Sequence, residues 1–215
     1  MAGPKTRANV KAKPAAKPKA KPKAKPAAKT KPNTAGRTAA LLRGINVGRN
    51  KRVSMSDLKA LVEELGFGDV RTLLNSGNVV FSGGKSPAKD AARIEKAIAD
   101  KLGVTSRVIC LGADDLATVM QENSLRDVAE EPTRLYVTIL GDKADRARLL
   151  PLLKEDWSPD ALAVGSLAVY AWCPNGMLES RLTPAVDRIL RERATARNWA
   201  TLTKIAALVL PEEDG

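Results

Sequence analysis

The chain has 215 residues, a formal net charge of +12, two cysteines and no histidine, so neither a Cys/His zinc set nor a Cys/His nucleophile pair can be assembled. The first 37 residues hold 12 of the 36 basic residues and none of the 24 acidic ones. The remaining body of about 178 residues is electrically balanced and long enough to bury its own core without disulfides.

From Lys11 to Pro32 the sequence repeats Ala-Lys-Pro and Lys-Pro-Lys units. Such a stretch has nothing apolar to bury and repels itself, so residues 1–37 are expected to form a disordered arm with local polyproline II character. Its cations, Lys11, Lys13, Lys17, Lys19, Lys21, Lys23, Lys25, Lys29 and Lys31, could neutralise DNA or RNA phosphates, with an affinity that falls as salt rises. No aromatic residue interrupts them, so that binding would ignore base sequence. The composition resembles the tails of linker histones and of some bacterial nucleoid proteins, which makes nucleoid association one expectation. A solubilising extension and an anionic membrane surface are the other readings.

The body, residues 38–212, opens with Thr38 to Arg43, an apolar run suited to a buried strand. Ser54-Met55-Ser56-Asp57 reads as a capping box, followed by Leu58, Leu61, Val62 and Leu65 at helical spacing and the stop Gly66. Val70 to Leu74 and Val79 to Phe81 are strands around the corner Asn75 to Asn78, where Gly77 can take a positive φ. Ser86-Pro87 starts a helix with Ala91, Ile94, Ile98 and Leu102 inward, and Arg107 to Leu111 is a fourth strand. Strand, helix, strand, strand, helix, strand is the ferredoxin-like pattern. A right-handed crossover then puts the end of the first strand and the corner after the second at one edge of the sheet.

Farther on, a helix near Asp114 to Gln121 is followed by an alternating strand, Arg134 to Leu140, and a helix from about Asp145 to Lys154 that Pro151 distorts. Leu167 to Trp172 is a strand, Thr183-Pro184 starts a helix, and Thr195 is the expected N-cap of the last helix. This half reads as a second, smaller α+β layer or an incomplete copy of the first. The expected fold class is therefore α+β, a ferredoxin-like βαββαβ unit plus that layer. Cys110 and Cys173 fall in apolar strand candidates and read as small core residues. No apolar run approaches the ~20 residues that cross a bilayer, and the start lacks an apolar signal core, so a cytoplasmic protein is expected.

Three polar segments carry the candidate site. Arg43-Gly44-Ile45-Asn46-Val47-Gly48 is a glycine-bearing strand exit that is neither a P-loop nor a dinucleotide fingerprint. Its structural reading is a tight turn with Arg43 paired to an acid; its functional reading is an anion seat. Asn75, Ser76 and Asn78 are turn formers whose interest lies in meeting Arg43 and Asn46. On the last helix Arg197, Thr201 and Lys204 would form one polar stripe, with Asn198 beside it, a seat for phosphate or carboxylate or else a solvated face. No paired carboxylates stand in a recognisable frame, so metal-assisted hydrolysis and glycosidase-type chemistry find no support, and no cofactor or metal is expected.

Leu41 to Gly48, the helix start Ser54-Met55-Ser56-Asp57-Leu58, the run Gly66-Phe67 to Phe81 with its core Asn-Ser-Gly-Asn-Val-Val-Phe, and Thr195-Ala196-Arg197-Asn198-Trp199 with Thr201 and Lys204 together resemble the bacterial DUF1697 family. The resemblance spans roughly residues 38–210 and implies an α+β fold without an established activity. Two departures are Gly48-Arg49-Asn50, where a second glycine is usual, and Ser180-Arg181-Leu182, where Ser-Lys-Leu is common. The residues allow three functions. The first is a domain whose polar pocket binds an anionic small molecule or nucleic-acid segment. The second is an enzyme on a phosphate-bearing or acyl substrate, with Ser76 or Thr195 as hydroxyl nucleophile. The third is an adaptor with no pocket.

Overall fold

In a computed structural model, residues 36–47 and 52–211 are described together with Met1 and Gly3. The arm lysines Lys11 to Lys31 and Gly48 lie outside the described residues. The chain divides into two units, Met1–Pro32 and Asn33–Gly215, and the second carries every described strand and helix.

The first half of that unit runs β1 (Thr38–Leu42), α1 (Met55–Glu64), β2 (Gly68–Leu73), β3 (Asn78–Ser82), α2 (Pro87–Leu102) and β4 (Val108–Gly112). Its sheet is antiparallel in the order β2-β3-β1-β4, the ferredoxin-like arrangement that the element order predicts. Ser54 caps α1, its Oγ accepting from Asp57 N at 3.3 Å. Leu58, Leu61 and Val62 of α1 and Ile94 and Ile98 of α2 pack on Ala40, Leu42, Val79, Phe81 and Cys110. Each large aliphatic side chain buried there is worth roughly 1.5–3 kcal/mol relative to exposure, so this face alone accounts for the position of both helices.

The second half continues through α3 (Ala113–Gln121), β5 (Leu135–Leu140), the four-residue α4 (Arg146–Leu149) between short 3-10 turns, β6 (Ala161–Val164), β7 (Ala168–Trp172), α5 (Leu182–Leu190), β8 (Ala194–Asn198) and α6 (Trp199–Val209). Its sheet has the order β6-β7-β5-β8. Replacing β1–β4 by β5–β8 reproduces the first sheet's order, so this half is a complete topological copy, with α6 following β8 as α3 follows β4. The expectation of an incomplete copy is thereby corrected. What is smaller is the helical cover: 4 and 9 residues in α4 and α5 against 10 and 16 in α1 and α2. Pro151 keeps the segment expected as one helix from Asp145 to Lys154 in short pieces, ending in the 3-10 turn Leu150–Lys154.

The inner faces of both sheets meet α3 and α6 in one core: Leu41, Val80 and Ile109 from the first sheet, Val137, Ile139 and Tyr170 from the second, with Leu116, Val119, Leu202 and Ile205 from the helices. The only polar atom brought so deep by Tyr170 is satisfied, its hydroxyl donating to Val119 O at 2.7 Å.

One expected element changes type. Thr195 does not cap the last helix; residues 194–198 pair antiparallel with β5, Val137 opposite Arg197 and Ile139 opposite Thr195. The cap is Asn198, whose Oδ1 accepts from Thr201 N at 2.9 Å. Arg197 is thus on a strand, and the helical stripe Arg197, Thr201, Lys204 does not form.

Candidate functional site

The exit from β1 and the β2–β3 corner are tied to each other by side-chain amides. Asn46, at φ 56, donates from Nδ2 to Val53 O at 2.9 Å and to Asn75 O at 2.8 Å, while its Oδ1 accepts from Val53 N at 2.9 Å. Gly77 sits at φ 75, and a Cβ there would lie 2.7 Å from Ile45 Cδ1 and 2.8 Å from Leu42 Cβ. The close approach lets Leu42 N donate to Gly77 O at 2.9 Å, so the corner folds down onto β1 only with glycine at this position.

Asn78 is fully buried beneath the corner. Its Nδ2 donates to Leu73 O at 2.9 Å and Ser76 Oγ at 3.0 Å, which turns Oδ1 toward Arg197 Nε at 2.5 Å. Arg197, 8% exposed, comes from the inner face of β8. Its Nη1 donates to Thr195 Oγ1 at 3.0 Å and Ala196 O at 2.7 Å, and its Nη2 to Leu42 O at 2.8 Å and Ser76 O at 3.0 Å. All its N–H donors are engaged, yet no carboxylate pairs with it among the described residues. Burial pushes its pKa down to about 10, the mark of a charge deprived of water without a counter-charge in return.

Arg43 stands at the same place with the opposite pattern. It donates from Nη1 to Ala194 O at 2.8 Å and from Nη2 to Asp187 Oδ1 at 2.7 Å, with Glu192 Oε2 3.5 Å from Nε. Its charge is already answered by two acids at the rim.

β8 is an edge strand. Leu140 N donates to Leu167 O, toward β7, so its opposite number Ala194 turns its peptide groups away from β5. The alternation of an antiparallel ladder then leaves the main-chain groups of Ala194, Ala196 and Asn198 on the free edge. The Ala194 and Ala196 carbonyls there are taken by Arg43 and Arg197; the N–H groups of Ala196 and Asn198 point the same way.

Around these groups lies a hollow of about 580 Å³, lined by Leu42 to Ile45, Val47, Ser76, Tyr136, Met177, Glu192, Thr195 to Asn198 and Thr201. Of the residues singled out in the sequence, Arg43, Ser76, Thr195, Arg197, Asn198 and Thr201 line it, and Asn78 holds Arg197 from below. Asn46 and Asn75 join the two loops at its rim. Lys204 is exposed on α6 and takes no part in the lining. Tyr136, Met177 and Glu192 were not found by sequence reasoning; only the period-2 alternation through Tyr136 and Thr138 hinted that one face of β5 is set apart. The hydroxyls of Ser76 and Thr195 accept from Asn78 and Arg197, and neither donates to a base among the described residues, so neither is activated as a nucleophile.

A family model described as "Protein of unknown function (DUF1697)" matches residues 36–170. Among curated proteins none matches the chain. Among solved structures, the conserved bacterial protein SP0830 from Streptococcus pneumoniae is similar, with a TM-score of 0.67 at 22% sequence identity, over 80% of this chain and 98% of that one. At that identity the likeness concerns the fold alone.

Proposed function

We propose, from the premise that the chain belongs to the DUF1697 family of proteins of unknown function, that it is a binding domain whose hollow receives a small anionic ligand. The observation that carries this is Arg197, a buried cation at the floor of the hollow with no acid paired to it among the described residues. A charge in that state gains from any anion placed near it: at ~6 Å and an effective dielectric constant of ~20 the attraction is roughly 3 kcal/mol. Because its own N–H groups are occupied, Arg197 supplies field rather than hydrogen bonds. The donors come from the β8 edge, Ala196 N–H and Asn198 N–H, and from the hydroxyls of Ser76 and Thr201.

The concave shape favours a small molecule over a nucleic-acid segment at this site, since a polynucleotide needs a track of cations and stacking surfaces. With no activating base beside Ser76 or Thr195 among the described residues, binding is favoured over catalysis.

Calorimetric titration of the full chain with phosphate, sulfate and acetate tests the reading. Ala196→Pro removes one edge donor at a position where proline costs an edge strand no ladder bond. It should weaken anion binding about tenfold, the ~1.4 kcal/mol of one charge-assisted hydrogen bond, with an unaltered circular dichroism spectrum. Equal binding by the variant would remove the β8 edge from the site, and no binding of any anion by the parent chain would end the proposal.

A further inference from the structure

The hollow does not end at the polar groups. A second cavity, of about 430 Å³, is lined by Thr138, Val169, Ala171, Val186 and Leu190 among others, and shares Arg43, Tyr136, Met177 and Ala196 with the first. It lies on the outer face of the second sheet, where the register sets Thr138 beside Val169 and Ala196, and Tyr136 beside Ala171 and Asn198.

Its origin is the reduced helical cover of the second half. In the first sheet, Ala40 of the central strand β1 is fully buried under α1 and α2. Its counterpart Thr138 in β5, placed by the matching registers Leu42↔Val108 and Leu140↔Ala194, is only half-buried because the shorter α4 and α5 do not reach it. Alanines at 171, 194 and 196 keep the floor low. At the mouth, Met177 and Leu178 are 47% and 94% exposed, two large apolar side chains beside an apolar trough.

We infer that the ligand of this site is an amphiphilic monoanion, an organic carboxylate whose head lies at the β8 edge over Arg197 and whose apolar body runs past Tyr136 into the groove under α5. The inference rests on the anion-binding reading above. The continuity of the two cavities through four shared residues carries the amphiphilic character, and their sizes are those of small-molecule sites. The single charge follows from the rim: Asp187 and Glu192, held on Arg43, answer one cation and oppose a second negative charge on the ligand.

The test is a titration of the full chain with acetate, butanoate, hexanoate, octanoate and decanoate below their aggregation limits, with 1-octanol as the uncharged control. Affinity should rise about fourfold per added methylene, the ratio given by ~0.8 kcal/mol per buried CH₂, until the groove is filled. Octanoate should bind at least tenfold more tightly than octanol. Ala171→Phe, which fills the groove, should flatten the series while leaving acetate binding as in the parent. Thr138→Phe, which fills the groove from the neighbouring strand without adding a charge, should do the same and serves if Ala171→Phe does not fold. A flat series in the parent chain, with acetate or phosphate still bound, overturns this inference and leaves the anion site standing. Failure of every anion overturns both, and equal binding of octanol and octanoate overturns the amphiphilic assignment.

Discussion

Asn78 Oδ1 accepts from Arg197 Nε at 2.5 Å across 119 positions of chain, and with the Arg197 donations to the Leu42, Ser76 and Gly77 carbonyls this bond joins the two halves of the molecule beneath the hollow. Asn78 comes from the start of β3 in the first sheet and Arg197 from β8 in the second. The neutral amide holds the guanidinium in place without cancelling its charge, which leaves that charge for whatever enters above. An aspartate would hold it equally well and silence it.

Asn78→Asp is therefore expected to separate architecture from binding. The new carboxylate pairs with Arg197 but gives up the two Nδ2 donations to Leu73 O and Ser76 Oγ. Anion affinity measured by calorimetry should drop at least tenfold while the thermal midpoint moves by only a few degrees, the size of shift expected for ~1 kcal/mol in a domain of this length. Undiminished anion binding would mean that the field of Arg197 does not act on the ligand.

Arg197→Met should be far more damaging to stability. It leaves the carbonyls of Leu42, Ser76 and Ala196 without this donor at the junction of the halves, while Gly77 O keeps its bond from Leu42 N. Buried polar groups stranded in that way cost about 3–5 kcal/mol in sum, readable as a lowered urea midpoint. A loss under 1 kcal/mol would show that the carbonyls find water instead.

Two glycines with similar φ angles, 75° at Gly77 and 65° at Gly103, should respond differently to alanine. Gly103, at φ 65, has open space within 4 Å of the point an added methyl would occupy, whereas at Gly77 that methyl would meet Leu42 and Ile45. Gly103→Ala should cost about 1–2 kcal/mol for the left-handed conformation alone, and Gly77→Ala clearly more in the same denaturation assay. Equal losses would mean that the corner can lift off β1.

The thiols provide a test with a pH sign. Burial pushes Cys110 up to about 12 and raises Cys173 as well, so both stay protonated in the folded protein at pH 8.5. Native protein should label slowly with a thiol reagent there, and unfolded protein rapidly at both sites. Since the folded pKa is the higher one, the contribution to stability is present below the unfolded thiol pKa of about 8.5 and fades as pH rises above it. A fast native phase at pH 8.5 would contradict the buried placement.

For the arm, the prediction rests on composition. Removing residues 1–32 spares Arg37, which is buried and donates to Leu208 O at 2.9 Å. That truncation should weaken binding of a random DNA duplex at least tenfold at low salt, and the affinity of the intact chain should fall steeply as salt rises. Gel shifts with both proteins decide it, and indifference to the truncation would leave the arm without a nucleic-acid role.

The first half of the body was legible because each of its signals is local. A capping serine, apolar residues at helical spacing and a glycine corner specify β1 through β4 in order, and handedness supplies the sheet. From the same rules came the approach of the β1 exit to the Asn75–Asn78 corner, where Asn46 bonds Asn75 while Arg43 turns to Ala194 and Asp187. The second half was less legible. Ala161–Val164 is too short to declare itself a strand, and Ala-Thr-Ala-Arg-Asn before Trp199 reads locally as a helix start. Pairing with β5 decided otherwise, and with it the fate of Arg197: a surface cation on a helical stripe became a buried one on a strand. No local pattern carries that information, because the energy that buries a guanidinium comes from carbonyls at Leu42, Ser76 and Gly77, more than a hundred residues earlier. The sequence by itself determined the elements of the first half and the meeting of two loops. Only tertiary structure closed the second sheet, set beneath the hollow a charge with no acid partner among the described residues, and left the short helices α4 and α5 to open an apolar groove beside it.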